Sequence, residues 1–396
     1  MNENANTKLR VLQIIPRLDG GGAEATTFEI TQALAAAGGQ AIIATQGGVL
    51  EKKIEAVGGK IIHLPVASKN PFTLYQNISR LRQLCIETRA NIIHARSRAP
   101  AWSAYYAAKQ LNVPFLTTYH SKVPAKPAWK VFYNSIMTRG QCVIANSQFT
   151  AARIATIHKI PPERIKTIPR GCDPAYFDPS KQDMQAVAHL RAKWGIRSNE
   201  RVILCPARLT RWKGQTLLLD AFHKIKGKID NECAFRLVFV GSAQGRKAYQ
   251  QALENQAARL NLARHIVFAG HIEIMPQAYK LADLVVLPSL EAEPFGRTAI
   301  EAQAAHIPVI VSDEGGFCET VRQKGEPYGA TGWRVPPRNS DALAETLAKA
   351  LTMDKAELET MGANGNHFIT EHYSLATMCD KTLQIYRDMI LEQNNA

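Results

Sequence analysis

A single acidic segment draws attention first. In Pro288-Ser289-Leu290-Glu291-Ala292-Glu293-Pro294-Phe295-Gly296-Arg297-Thr298-Ala299-Ile300-Glu301-Ala302 an apolar strand ends, a loop with Pro and Gly follows, and a helix starts. Glu293 lies in the loop and Glu301 inside the helix, so both can line one pocket and accept hydrogen bonds from a hydroxyl-rich ligand. Glu301 has a second reading, because Thr298-x-x-Glu301 is a capping box that needs no ligand. Glu291 reads as a solvated charge, whereas Glu293, set against Pro-Phe-Gly, has no evident structural duty. A second segment, Pro206-Ala207-Arg208-Leu209-Thr210-Arg211-Trp212-Lys213-Gly214, puts three cations at the carboxyl end of a strand. Arg offers a two-pronged fork and Lys a point charge, a pairing suited to a diphosphate; a solvated basic loop is the alternative. A third, Leu18-Asp19-Gly20-Gly21-Gly22-Ala23-Glu24, runs from a strand into a helix. Its glycines admit a ligand close to the backbone, and a helix start favours an anion; a flexible turn is the alternative. It is not the G-x-G-x-x-G fingerprint, and Ala41–Gly48 supplies no acidic residue for a ribose, so a nicotinamide cofactor is not favoured.

The elements that must carry these loops are legible as alternating strands and helices, the pattern of a parallel sheet with crossover helices. Strands are predicted at Val11–Ile15, Ala41–Thr45, Ile61–Leu64, Asn91–Ala95, Pro114–Tyr119, Cys142–Asn146 and Ile165–Pro169. The second half repeats the rhythm at Val202–Pro206, Phe235–Val240, Ile266–Ala269, Leu284–Pro288 and Pro308–Ser312. Helices are predicted at Ala23–Ala37, Thr73–Arg89 and Pro100–Gln110. The fold class is α/β, with two doubly wound Rossmann-like domains facing a central cleft, and ligands of such sheets bind at the carboxyl ends of the strands. The expected division is residues 1–172, a linker at 173–198 broken by Asp-Pro pairs, a second domain at 199–374, and a last helix at 375–396.

Composition narrows the class. The chain has 396 residues and a formal charge of +14. Residues 1–170 hold 22 Lys and Arg against 8 Asp and Glu, while the remainder holds 26 of each, so all the net charge lies in the first half. That asymmetry points to an anionic partner: a nucleic acid, a membrane surface or an acidic substrate. Seven scattered cysteines without a C-x-x-C pair exclude a disulfide framework and a zinc site and suit a reducing compartment. The stretch Met1 to Arg10 is polar, with no secretory signal. Ile30 to Leu50 carries no charge over 21 residues, but Gly38-Gly39-Gln40 breaks it into helix, turn and strand. A soluble, cytoplasmic protein is expected.

Taken in order, the Glu-x7-Glu element in its Glu-Pro-Phe-Gly-Arg setting, the Arg208…Lys213-Gly214 loop, the Gly-Gly-Ala-Glu turn and Ile168-Pro-Arg-Gly-Cys-Asp173 resemble a retaining glycosyltransferase of the GT-B fold, in family 4, the group 1 glycosyltransferases. The resemblance covers roughly residues 10–390. Asn91-Ile-Ile-His94-Ala-Arg96-Ser-Arg98-Ala-Pro100 is further similar to bacterial members that build cell-surface polysaccharide such as lipopolysaccharide. It implies that Arg208 and Lys213 hold the diphosphate of a nucleotide sugar without a metal, and there is no Asp-x-Asp element. Glu293 is then implied to bind hydroxyls of the transferred sugar and Glu301 the ribose. Gly296, Arg297, Thr298, Gly21 and Gly22 help with phosphate and sugar, and Ile272 sits near the base. His120, after the strand Pro114–Tyr119, matches the active-site histidine, although Ser121-Lys122 departs from the Asp or Gly of many relatives. The last helix is implied to pack on the first domain. From the residues alone, His120 and His94 also read as hydrogen-bonded structural residues, Trp102, Tyr105 and Tyr106 as core aromatics, and Asn146-Ser147-x-x-Thr150 as a helix cap.

The implied reaction moves a hexose-type group to an acceptor hydroxyl with retention. Two carboxylates would ordinarily suggest a glycosidase pair; here they grip donor hydroxyls, and without an evident nucleophile a front-face substitution is favoured. No cofactor is expected. Lys122, Lys126, Trp129 and Lys130 mix cations with an aromatic and suit an anionic leaflet, which places a lipid-linked or glycan acceptor at the inner face of the cytoplasmic membrane; a solvated loop is the alternative. A nucleotide-sugar epimerase of the same fold stands as a second enzyme reading. A nucleic-acid binder explains the charge but not the carboxylates, and no nucleic-acid module is present.

Overall fold

The computed structural model describes residues 8–229 and 234–395; Cys233 and the first residues of the polar amino-terminal stretch lie outside them. The chain forms two compact units, residues 1–170 with 375–396, and residues 171–374. Each is built on one parallel sheet, as alternating apolar strands and crossover helices require.

The first unit carries β1 (Arg10–Ile14), β2 (Gln40–Thr45), β3 (Lys60–His63), β4 (Ile92–Ala95), β5 (Phe115–Tyr119), β6 (Cys142–Ala145) and β7 (Ile165–Thr167). Their order is β3-β2-β1-β4-β5-β6-β7, parallel throughout. Alternate residues of β1 feed opposite faces: Leu12 and Ile14 enter one core, Val11 another with Ile15 just beyond it. Both faces are thus dry, which is why the strands read as continuous apolar runs. The helix Leu375–Asn394 belongs to this unit and buries Met378, Cys379, Leu383, Tyr386, Met389 and Ile390.

The second unit carries β8 (Glu200–Pro206), β9 (Ala234–Val240), β10 (Ile266–Gly270), β11 (Leu284–Leu287), β12 (Val309–Ser312) and β13 (Gly332–Val335), ordered β10-β9-β8-β11-β12-β13. Again β8 alternates, with Val202 and Leu204 on one core and Ile203 and Cys205 on the other. Strand β13 was not expected: Gly-Trp-Arg-Val is short and its middle residues are half-buried. Residues 173–198 are not a free linker. They form helices at Pro174–Phe177 and Met184–Lys193, and Phe177, Val187, Leu190, Trp194 and Ile196 join the core of the second unit. The two Asp-Pro pairs start short helical turns there, with Asp173 and Asp178 as caps, so the signal read as a break is a helix start.

Both sheets have their switch point where the first strand of the unit lies between neighbours reached in opposite directions: β1 between β2 and β4, and β8 between β9 and β11. Loops after these strands are where a doubly wound sheet leaves room for a ligand. Among the described residues six cysteines lie outside any disulfide, five of them buried, and no helix is long and apolar enough to cross a membrane.

Candidate functional site

In the second unit the loops after β8 and β11 are stitched together. Gly214 adopts φ +74°, and a Cβ there would meet the Pro288 carbonyl oxygen at 1.8 Å. Only glycine allows the approach. Leu290 N–H donates to the Trp212 carbonyl at 2.7 Å. The result brings Lys213 to Glu293: the ammonium donates to Glu293 Oε1, and Ser289 Oγ donates to the same oxygen at 2.8 Å. Ser289 is set in turn by Ser312 Oγ, which donates to its carbonyl at 2.7 Å. The backbone of Glu293 is held too, since Gly316 N–H donates to its carbonyl at 2.8 Å. Glu293 is 6% exposed, so the carboxylate expected to lack a structural duty is in fact a buried, paired group. Lys213 Nζ also lies 4.3 Å from the Trp212 ring centroid. The geometry does not bring Arg208 to this pair. It is exposed and donates to Gln244 Oε1 at 3.3 Å, while its carbonyl accepts from Gln215.

The helix Arg297–Ala304 begins differently from the capping-box reading. Its N-cap is Gly296, at φ +92° with no side-chain cap, because a Cβ there would lie 2.5 Å from the Phe317 ring. Thr298 therefore falls inside the first turn. Glu301 is turned to other partners: Arg297 Nε donates to its Oε1 at 2.9 Å, and the Tyr279 hydroxyl approaches its Oε2 at 3.5 Å. Burial, then the Glu301 charge, push the Tyr279 hydroxyl well above its usual pKa, so it stays a donor. An eight-residue helix with an uncapped start, close to the half-buried Lys213, is an anion-favouring place. Ile272 follows β10 and packs on the core of the unit.

In the first unit a cavity of about 420 Å³ opens at the carboxyl ends of β1, β4 and β5. Arg17, Asp19, Glu24, Arg96, Arg98 and His120 contribute to its lining. Gly20 takes φ +92°, and Gly21 is the N-cap of the helix Gly22–Ala36, which has no side-chain cap; Gly22 opens its first turn. Arg96 donates through Nε and one terminal nitrogen to Gln13 Oε1 at 2.8 and 2.6 Å. Arg98 donates to Ser121 Oγ and to the Lys122 carbonyl and lies 5.6 Å from the Tyr119 ring centroid. His120 Nδ1 is met by the Arg170 guanidinium.

The structural reading of His94 holds. It is fully buried, with Nδ1 2.6 Å from the Tyr386 hydroxyl and Nε2 2.7 Å from Thr118 Oγ1. Burial, then the Arg96 and Arg170 charges, hold it well below the ordinary His range. Ser147 caps its helix, accepting from Thr150 N–H at 2.9 Å. Trp102 and Tyr105 pack against the core, but Tyr106 is 40% exposed. Sequence reasoning gave no role to Arg170, Ser289 or Tyr279. The only signal for Arg170 was its place in Ile168-Pro-Arg-Gly-Cys-Asp173.

Comparison with known proteins identifies the family. A family model described as Glycosyl transferases group 1 matches residues 187–368, and one described as Glycosyltransferase Family 4 matches residues 20–176. The crystal structure of a glycosyltransferase from Rickettsia africae is 32% identical, covers 97% of this chain and 99% of its own, and superposes with a TM-score of 0.87. The chain belongs to the group 1 glycosyltransferases. Among this glycosyltransferase's relatives, a D-inositol 3-phosphate glycosyltransferase from Jonesia denitrificans is 26% identical over 84% of this chain and 83% of its own length. HepE from Anabaena, crystallised with UDP and glucose, is 22% identical, covers 95% and 99% of the two chains, and has a TM-score of 0.82. That last likeness concerns the fold, which for this glycosyltransferase is GT-B.

Proposed function

We propose that this glycosyltransferase takes a nucleotide diphosphate sugar and passes the sugar, with retention, to an acceptor hydroxyl in the synthesis of a cell-envelope glycan. The observation that carries the reading is the pair of half-buried Lys213 and buried Glu293, beside the uncapped start of the helix Arg297–Ala304. A diphosphate entering there competes with Glu293 for Lys213. The displaced carboxylate then accepts hydrogen bonds from sugar hydroxyls, so one exchange of partners binds both ends of the donor. Arg208, exposed and held through its side chain by Gln244 at 3.3 Å, can swing to the same diphosphate. Glu301 takes the ribose, Ile272 lies near the base, and Gly21, Gly22, Gly296, Arg297 and Thr298 contribute amides or side chains to phosphate and sugar. Such a donor is supported by the UDP and glucose bound in HepE, and a phosphorylated acceptor by the name of the Jonesia relative.

In the transfer, the bond from the anomeric carbon to the leaving phosphate oxygen breaks as the acceptor oxygen bonds the same face. The acceptor proton passes to that phosphate oxygen. Arg208, Lys213 and the helix start stabilise the charge that develops on the diphosphate, the role a metal fills elsewhere. Measured turnover over a panel of nucleotide sugars tests the reading, with and without acceptor. Product formed without acceptor would turn it into an epimerase, and near-normal turnover by Arg208→Ala and Lys213→Ala at saturating donor would end it.

The acceptor is placed at an anionic membrane. No Asp or Glu occurs between Glu87 and Glu163, and the helix Ala128–Ser135 exposes Trp129 at 66% and Phe132 at 63%. Lys122, Lys126 and Lys130 are exposed around them. Each such cation near an anionic leaflet contributes roughly 1 kcal/mol. Flotation with anionic liposomes should show binding that salt weakens; its absence at low salt would sink this placement.

A further inference from the structure

Two histidines are held by the sheet of the first unit, and their surroundings differ in kind. His94 has both ring nitrogens occupied. His120 has one occupied, by Arg170, and its Nε2 is buried without a hydrogen-bond partner in the protein. Arg170 follows β7 and is 5% exposed. Its other terminal nitrogen donates to Thr26 Oγ1, and Thr26 donates to the Gly22 carbonyl at 3.0 Å. One guanidinium therefore ties the start of the glycine-turn helix to His120.

The donor inventory fixes the rest. A guanidinium has five N–H donors, no acceptor, and keeps its proton. The imidazole nitrogen that meets it must be the unprotonated one, so Nδ1 accepts and the ring proton resides on Nε2. A doubly protonated ring would set N–H against N–H. Nε2–H then belongs to a residue lining the 420 Å³ cavity, and a buried donor left unpaired costs about 1–3 kcal/mol. The other charged groups of that lining are Arg17, Arg96 and Arg98, and the carboxylates Asp19 and Glu24; none of them bonds Nε2.

We propose that Arg170 is a positioning residue that locks His120 in the tautomer with its proton on Nε2, so that His120 donates a hydrogen bond to a substrate oxygen and does not act as the base for the acceptor hydroxyl. This rests on the cavity being part of the transfer site, and it agrees with a proton that leaves on the phosphate.

The lock is readable without turnover. In the full-length protein labelled with nitrogen-15 at histidine, and assigned by comparison with His120→Gln, long-range proton–nitrogen correlation should show Nδ1 bare and Nε2 protonated. That state should persist through the range where an unconstrained His titrates, near about pH 6.5. A proton on Nδ1, alone or with one on Nε2, overturns the proposal. Arg170→Leu should mix the tautomers and lower kcat by roughly tenfold to a hundredfold with a smaller change in donor KM. Arg170→Gln, which keeps a neutral N–H donor, should restore most of both. An unchanged tautomer in Arg170→Leu overturns the proposal, and should that variant misfold by circular dichroism, the wild-type and Arg170→Gln spectra decide it. A locked tautomer in a protein that turns over no nucleotide sugar would support the lock and count against the proposed function instead.

Discussion

In the second unit two of the cations near the carboxyl ends of the strands are met by carboxylates, Lys213 by Glu293 and Arg297 by Glu301 at 2.9 Å, while the exposed Arg208 donates to Gln244. In the first unit Arg96 and Arg98 are held by neutral oxygens, those of Gln13, Ser121 and the Lys122 backbone, although Arg17 on the same cavity pairs with Asp19 at 2.7 Å. A paired site is electrically quiet at rest and answers a ligand by exchanging partners. A site of cations on neutral acceptors keeps its charge and draws an anion from a distance. The sequence charge divides in the same way, with the whole +14 in residues 1–170. Under the proposed function, donor recognition by exchange and acceptor recruitment by field fall to different units of one chain.

The sharpest way to break this contrast is at Lys213. Lys213→Ala should lower kcat/KM by roughly a hundredfold to a thousandfold, the scale for removing a preorganised group that stabilises leaving charge. Steady-state kinetics at saturating acceptor reads it. Glu293→Gln comes next, with a loss of about tenfold to a hundredfold. The double variant should fall short of the product of the two losses, because each single change strands the other partner; full additivity would mean the pair is not exchanged. Arg98→Gln should act on the other side of the comparison, raising acceptor KM about tenfold while donor KM stays put, with moderate salt mimicking the change. An equal rise in both would erase the division of labour.

The smallest effect concerns acid. His94 is held neutral when folded, so the unfolded chain binds a proton below about pH 6.5 that the native one refuses, at about 1.4 kcal/mol per pH unit. Its contribution is intact above that pH and declines as pH falls towards the depressed native pKa. Glu200, at the start of β8, behaves otherwise. Burial alone would raise it, but the Arg197 backbone N–H and the Arg236 guanidinium outweigh burial and hold it low. Its stabilisation persists down to the ordinary carboxylate range and is lost below it. Hydrogen exchange resolved by peptide should thus show the first unit loosening before the second on acidification; the reverse order would contradict the His94 assignment.

Much of the fold could be read from residue order. The seven strands of the first unit fall within a residue or two of the apolar β-branched runs, since both faces of the sheet are dry and nothing else competes for such segments. Strand β13 escaped because Gly332, Trp333 and Arg334 carry no such signature; its pairing with β12 makes it a strand. Glu293 and Lys213 were legible because their loops follow β11 and β8, the strands at the switch point. The cap at Thr298 was misread because local pattern could not show Phe317 pressing on Gly296. Arg170 had no assigned partner for the same reason: fifty residues separate it from His120, and only the parallel order β5-β6-β7 closes that distance.

The helix Leu375–Asn394 has a consequence for how the protein is made. It supplies six buried apolar residues to a unit whose other parts end at Arg170, and Tyr386 from it completes the surroundings of His94. At about 1.5–3 kcal/mol for each large apolar side chain, that contribution is on the order of 10 kcal/mol, comparable with the net stability of a whole domain. A ribosome delivers the roughly 200 residues of the second unit first, which takes about 10–40 s. During that interval the basic half is held as an open sheet awaiting its cover, and a nascent chain released at residue 374 would be a task for chaperones and proteases rather than a smaller enzyme.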